Sequence, residues 1–83
     1  MTYEQIEEIV AKKHPEHATF QIRFRVRNPI RALFIRTPDF RELGKKNLWR
    51  IVSDANIALY QQSGDESLAR IFNGAEFTKL ERL

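Results

Sequence analysis

The sequence predicts a single α+β domain in which helices cover one face of a small antiparallel or mixed sheet of three to four strands. The apolar pattern switches between helical and strand spacing along the chain, in the order α-β-β-α-β-α-β. The 83 residues fit one domain, 1–83, and 42% of them are hydrophobic, including six Phe, two Tyr and one Trp. Because there is no cysteine, neither a disulfide nor a Cys-based zinc site can support the fold, so apolar burial must stabilise it.

The first helix is expected to begin after Thr2 and to end before Pro15. Thr2 is a candidate N-cap, and Gln5 three residues later completes the pattern of a capping box. The apolar positions with helical spacing are Ile6, Ile9 and Val10. Proline disfavours helical geometry in the residue before it, which ends the helix at this point.

Residues 19–27 are predicted to form the first strand, because apolar and polar side chains alternate there. The side chains expected to face the core are Phe20, Ile22, Phe24 and Val26. Those expected to face solvent are Gln21, Arg23, Arg25 and Arg27. Asn28-Pro29 is typical of a turn, so residues 30–36, a second β-favouring run, should form a hairpin with this strand. Two pairs in that run compete for the core, and the choice stays open: Leu33 with Ile35, or Ala32 with Phe34.

Two helices and a third strand are predicted in the middle of the chain. A short helix should begin at residues 37–39 (Thr-Pro-Asp), and Gly44 is its candidate C′ residue. Residues 48–52 are a third strand. Ser53 is the expected N-cap of the next helix, which should end at Gly64.

Residues 68–72 fit two structures. One is a strand that enters a tight hairpin at Asn73-Gly74, and the other is a helix with Gly74 as its C′ residue. The strand gives the element order stated above, and both alternatives remain open at this point.

The net charge of +3 is distributed unevenly along the chain. Residues 19–50 carry seven Arg and two Lys against one Asp and one Glu, a net charge of +7, whereas residues 1–18 and 51–83 each carry −2. A basic middle between acidic ends favours an anionic partner, or neutralisation within one molecule or across a dimer.

Residues 46–52 (KNLWRIV) and 68–77 (LARIFNGAEF) resemble the recurrent core of a family of short bacterial proteins of unknown function. The resemblance covers roughly the C-terminal half of the chain. It implies no activity, cofactor or site residue.

The arginines of the first strand are the main candidate site. Arg23, Arg25 and Arg27 would project from one strand face about 6.5–7 Å apart, a spacing comparable to that of successive phosphates in a nucleic-acid strand. Guanidinium groups also bind phosphate through paired hydrogen bonds. Arg31 and Arg36 would extend this surface. The simpler interpretation is that a half-solvated strand carries charge outward and thereby avoids edge-to-edge pairing.

Trp49 has two interpretations. Its aliphatic and β-branched neighbours on a predicted strand favour burial in the core. If it were exposed, it would offer a stacking surface for a base or an anchor at a protein interface.

Signals of catalysis and of metal binding are weak. His14 and His17 flank a proline at a helix end, so a solvated terminus is the simpler interpretation and no metal site is predicted. The sequence has no cysteine nucleophile, no Gly-x-Ser-x-Gly elbow and no phosphate-binding glycine loop. We expect no cofactor, and an enzyme is the least favoured class of function.

A binding role is therefore the leading hypothesis. The first form of it is a module whose Arg-rich strand face recognises an anionic partner such as RNA or DNA. The alternative is a protein-interaction module that forms a homodimer without binding nucleic acid, and a small enzyme of unknown reaction comes third. No apolar run approaches the roughly 18 residues of a membrane span, and the acidic N-terminus has no signal-peptide core, so we expect a cytoplasmic protein without a membrane partner.

Overall fold

A five-stranded antiparallel sheet organises the protein in the computed structural model, which describes residues 1–14 and 16–83. The strands are β1 (Thr19–Phe24), β2 (Ile30–Phe34), β3 (Leu48–Ser53), β4 (Arg70–Asn73) and β5 (Phe77–Arg82). They lie in the order β4-β3-β2-β1-β5, and all neighbouring pairs are antiparallel. The predicted α+β class is confirmed, but the sheet has five strands instead of three to four, because the C-terminal tail pairs with β1 as β5.

Three α-helices accompany the sheet in the described residues: α1 (Tyr3–Glu7), α2 (Phe40–Lys45) and α3 (Ala55–Ser63). The predicted capping box of α1 is present, since the backbone N–H of Gln5 donates to the Thr2 hydroxyl at 3.2 Å and the Gln5 side chain accepts from the Thr2 N–H at 3.0 Å. The helix continues as a π-helical segment, Glu8–Lys13. The stop predicted at Pro15 lies outside the described residues.

The sheet is strongly curled. Its two edge strands, β4 and β5, are joined only by a 3-10 turn, Gly74–Glu76. The four Cα–Cα steps from Asn73, the end of β4, to Phe77, the start of β5, span at most about 14 Å. The two edge strands of a flat five-stranded sheet would lie about 19 Å apart. The edges therefore bend toward each other and form an incomplete barrel. At one end of its open side, the rings of Phe24 on β1 and Phe72 on β4 approach to 6.1 Å.

Apolar side chains are buried on both faces of the sheet. The main cluster fills the concave side, and its members include Ile6 and Val10 from the N-terminal helix. A second cluster lies on the convex side, where Ile57 of α3 covers it. The prediction that helices pack on one face only is therefore wrong. The open choice in the second strand resolves in favour of both pairs: Ala32 and Phe34 face the main cluster, and Leu33 and Ile35 face α3.

The first strand ends three residues earlier than predicted, at Phe24 instead of residue 27. Phe20 and Ile22 are buried as expected, but Val26 is 92% exposed, so its predicted place in the core is wrong. The ladder with β5 has a bulge at this point, and beyond it only the N–H of Arg25 reaches the carbonyl of Glu76, at 3.3 Å. Without a continuous partner strand, residues 25–27 leave the extended path and bend into the turn.

Several predicted element boundaries differ from the structure, because the residue that adopts the left-handed or capping conformation is not the residue that was predicted to do so. Gly44 lies inside α2 instead of following it, and Asn47 takes the left-handed conformation, with φ of 60°. Ser53 is the last residue of β3, so Asp54 occupies the N-cap position of α3. Gly64 does end α3 in the left-handed conformation, as predicted. Residues 70–73 are a strand, but Gly74 begins a 3-10 turn instead of a tight hairpin.

An ion pair joins the start of α2 to β3. Oδ2 of Asp39 lies 2.9 Å from Nη2 of Arg50, and the Thr37 hydroxyl also donates to the Asp39 carboxylate. The hydrogen bond from Arg50, followed by that from Thr37, lowers the pKa of Asp39 from 3.8 to about 2. A carboxyl whose folded-state pKa is depressed stabilises the fold above its unfolded-state value, and this stabilisation is lost as the pH falls through the lower value.

Asp39→Asn is therefore expected to lower the urea midpoint at neutral pH, and this deficit should disappear between about pH 4 and pH 2. Urea titrations of both proteins across that range measure the deficit directly, because the other carboxyl groups are common to the two. Glu42→Gln is the matched control, since Glu42 is an exposed carboxylate of α2 with no ion pair among the described residues. If the difference in urea midpoint between Asp39→Asn and the wild type stayed constant down to about pH 2, the Arg50 contact would not shift the Asp39 pKa.

Candidate cationic face and aromatic groove

A cluster of exposed basic side chains lies on the convex side of β2, β1 and β5. We call it the cationic face and define it as Arg23, Arg25, Arg31 and Lys79, all of which are exposed. Arg23 and Lys79 are direct partners across the β1–β5 ladder, and Arg31 is paired with Gln21 across the β1–β2 ladder. Strand alternation places Gln21 and Arg23 on the same face, so Arg31 lies diagonally beside the Arg23–Lys79 pair. Arg25 is exposed in the bend that follows β1, so it lies at the end of the face, and strand alternation does not assign it to one side of the sheet.

The positive charge of the cationic face exceeds the negative charge beside it. Glu81 is shared between two partners, at 3.5 Å from Arg23 and 3.9 Å from Lys79. Arg25 and Arg31 form no side-chain ion pair within the described residues. Like charges directly opposite each other in a ladder are destabilising, and here the carboxylate of Glu81 is paired with both Arg23 and Lys79. Oδ1 of Asp54 also accepts a hydrogen bond from the backbone N–H of Arg31 at 3.1 Å, so a second carboxylate lies beside the face. The arrangement leaves about two unmatched positive charges on an exposed surface.

Arg27 does not join the cationic face in the way the strand pattern predicted. The chain turns after β1, and the Arg27 guanidinium lies over two rings, 4.9 Å from the centroid of Phe24 and 5.5 Å from that of Phe72. These residues line an open depression of about 270 Å³ that we call the aromatic groove. Its lining residues are Phe24, Val26, Arg27, Phe72, Asn73 and Glu76. The rings of the groove belong to the concave side of the sheet, opposite the face that carries Arg23, Arg31 and Lys79.

Trp49 and Arg36, two further residues from the sequence-based site, have structural roles. Trp49 is 1% exposed, and its indole N–H donates to Oδ1 of Asn47 at 2.9 Å, so the favoured interpretation, burial in the core, is confirmed and the alternative of a stacking or interface surface is wrong. The Arg36 guanidinium donates to the carbonyl of Val10 at 2.8 Å and lies over the ring of Phe40. It ties the N-terminal helix to α2 and is not part of the cationic face.

Other parts of the described chain offer weaker sites. A cavity of about 470 Å³ beside the π-helical segment is lined by Lys12, Arg36 and Arg41, but Lys12 is paired with Glu7 at 3.7 Å and Arg36 with Val10. His14 packs edge-on against Phe20. The described residues contain no group of three His, Cys, Asp or Glu side chains that could hold a metal ion. None of the helices described has the length and apolar character that a membrane crossing requires.

Sequence reasoning missed Lys79 and Phe72 as site residues. Lys79 joins the cationic face only because β5 pairs with β1, a contact between residues more than fifty positions apart in the chain. Phe72 reaches Phe24 only because the sheet curls. Neither relation has a local signal in the sequence.

Comparisons of the chain with models of protein families, with curated proteins and with solved structures found no match. Function is therefore inferred from the properties of the cationic face and of the aromatic groove.

Proposed function

We propose that this protein is a small binding module whose cationic face recognises an anionic polymer. The observation that supports this most strongly is the opposed pair Arg23 and Lys79, which shares one carboxylate while Arg25 and Arg31 beside it have no ionic partner in the described chain. Holding four exposed cations close together costs electrostatic free energy, and a polyanion that displaces small counterions removes this cost.

The spacing of the cationic face suits a chain of phosphates. Neighbouring strands lie about 4.8 Å apart, and alternate residues along one strand lie about 6.5–7 Å apart, so the four basic groups span a few phosphates. Arginine contributes three of them, and its planar guanidinium can donate two parallel hydrogen bonds to one phosphate. Lysine contributes a single point charge that tolerates different orientations of the partner.

Binding to an oligothymidylate of about 12 nucleotides should weaken steeply with salt. Arg31→Gln and Lys79→Gln are each expected to reduce the slope of log K against log salt by about 0.7, because each removes one phosphate contact on a single strand. Fluorescence anisotropy with a labelled oligonucleotide, repeated over a range of salt concentrations, measures this slope. Inorganic polyphosphate, used as a competitor, shows whether phosphate charge alone is recognised.

Lys45→Gln is the matched control for these variants. Lys45 is an exposed cation at the end of α2, outside the cationic face, so its removal changes the net charge equally. A slope that falls as much in Lys45→Gln as in Lys79→Gln would show that only the net charge matters. Binding that is absent, or independent of salt, for both oligonucleotide and polyphosphate would refute the proposal.

A homodimer is the second candidate function, and the edge strand β4 favours it. This strand is one outer edge of the sheet, and its Ile71 side chain is 50% exposed. Pairing of two such edges would extend the sheet and cover apolar surface at the same time. Sedimentation of the free protein distinguishes the two candidates, because the dimer requires a mass of two chains that depends on concentration.

A further inference from the structure

We propose that the aromatic groove receives an unpaired base of a single-stranded nucleic acid whose phosphates lie along the cationic face. This inference rests on the proposed function and deepens it by naming the class of anionic polymer. It assigns the stacking role, which the sequence suggested for Trp49, to Phe24 and Phe72.

The walls of the groove suit a flat, aromatic group. Phe24 and Phe72 are half-buried, with ring centroids 6.1 Å apart and ring planes inclined by 36°. Both rings pack against the main core, and the edge-on contact of Phe24 with Phe77 at 5.4 Å fixes one of them further. Rings held in this way present their accessible surface without losing side-chain freedom when a partner binds.

Arg27 shows that a planar group fits against these rings. Its guanidinium lies over both of them, and a nucleic-acid base is likewise planar and stacks on aromatic rings and on guanidinium groups alike. The groove opens toward solvent beside Val26, which is 92% exposed, so a base can enter from outside and replace the Arg27 guanidinium against the rings without rearrangement of the core.

The charges around the groove distinguish a base from a phosphate. Glu76 is an exposed carboxylate in its lining, and it would repel a phosphate placed there, whereas it can accept a hydrogen bond from a base. Arg25 directly follows Phe24 at the end of β1, whereas Arg23, the other chain neighbour, projects from the opposite face of the strand. A strand that lays one base against Phe24 and Phe72 can lead its next phosphates past Arg25 and around the end of β1 to the Arg23–Lys79 pair on the other face.

Two other anionic partners fit this surface less well. In a double helix the bases stay stacked on one another and do not reach a lateral groove, so a duplex would use only the cationic face. An acidic polypeptide satisfies the cations but offers no ring to the groove unless it also contains aromatic residues. A single strand that passes around the end of β1 uses both surfaces at once.

The test compares three probes of equal length on the intact protein: oligothymidylate, an abasic oligonucleotide and a duplex. Oligothymidylate is expected to bind about tenfold more tightly than the abasic strand, since one stacked base is lost. Phe72→Leu should remove this tenfold preference and leave the affinity for the abasic strand and the salt slope unchanged. Ile71→Thr is the matched control, because Ile71 is adjacent on β4 and alternation directs it to the opposite face.

A second measurement avoids mutation and so does not depend on the folding of a variant. A single strand that carries 2-aminopurine should lose fluorescence on binding, because stacking on an aromatic ring quenches that base. Equal affinity for the base-containing, abasic and duplex probes, together with unquenched 2-aminopurine, would overturn this inference and leave the proposed function standing. Loss of salt-dependent binding to every probe, including polyphosphate, would overturn the proposed function itself.

Discussion

Gly74→Ala is expected to lower the free energy of unfolding by about 3 kcal/mol. A Cβ atom at this position would overlap Oδ1 of Asn47 and would lie 2.5 Å from Cδ1 of Ile6. Neither neighbour can move easily, because Ile6 is completely buried and the Asn47 side chain is held by the indole N–H of Trp49. The added methyl group must therefore displace the turn that joins β4 to β5.

Urea denaturation followed by Trp49 fluorescence measures this effect, since Trp49 is the only tryptophan. Gly64→Ala is the control, because Gly64 has φ of 67° but no atom within 4 Å of an added Cβ. It should lose only the cost of a left-handed alanine, about 1 kcal/mol. If both variants lost the same amount, the close approach at Gly74 would not constrain the turn.

Asn47→Ala is expected to destabilise the protein by a similar amount, about 3 kcal/mol. The left-handed backbone at residue 47 favours asparagine over alanine, which accounts for about 1 kcal/mol. The side chain also accepts from the Trp49 indole at 2.9 Å and donates to the carbonyl of Met1 at 2.8 Å. Its removal leaves a buried indole N–H without a partner, which costs about 1–3 kcal/mol.

Two further substitutions separate these contributions. Asn47→Gly keeps the left-handed backbone and loses only the side-chain hydrogen bonds, so it should be destabilised by about 2 kcal/mol. Asn47→Asp retains an acceptor for the indole but has no N–H for the Met1 carbonyl, so it should keep the wild-type fluorescence of Trp49 at reduced stability. Urea titrations and emission spectra of the three variants give the comparison. Wild-type stability of Asn47→Gly would contradict the role assigned to the side chain.

Local signals in the sequence predicted local structure well. The capping box of Thr2 and Gln5, the alternation at Phe20 and Ile22 and the end of α3 at Gly64 all depend on residues a few positions apart. The fifth strand had no such signal. The ladder between β1 and β5 pairs Arg23 with Lys79 and then Phe24 with Phe77, so the bulge breaks the alternation by which a strand is recognised.

Both candidate pairs in the second strand, Leu33 with Ile35 and Ala32 with Phe34, are apolar, and this pattern already indicated that both faces of the strand are buried. A strand that is apolar on both sides is typical of burial on both faces. The prediction treated the two pairs as competitors because it assumed helices on one face only. The structure places α3 over Leu33 and Ile35, and the remaining pair faces the main cluster.

The candidate site was predictable only in part. The exposed positions of Arg23, Arg25 and Arg31 follow from strand alternation and turn chemistry, which are local. The contribution of Lys79 depends on which strand lies beside β1, and the aromatic groove depends on how far the sheet bends. These are long-range properties of the fold, and they cannot be predicted from the spacing of residues or from composition.

The position of β1 between β2 and β5 constrains how the chain acquires its structure during synthesis. β1 is synthesised before residues 77–82 and has to wait for them before its second ladder can form. Until residues 77–82 leave the ribosome, Phe20 and Ile22 lack their final covering, so the nascent chain exposes an apolar edge. Contacts of this high contact order favour slow folding compared with a helical bundle of the same length.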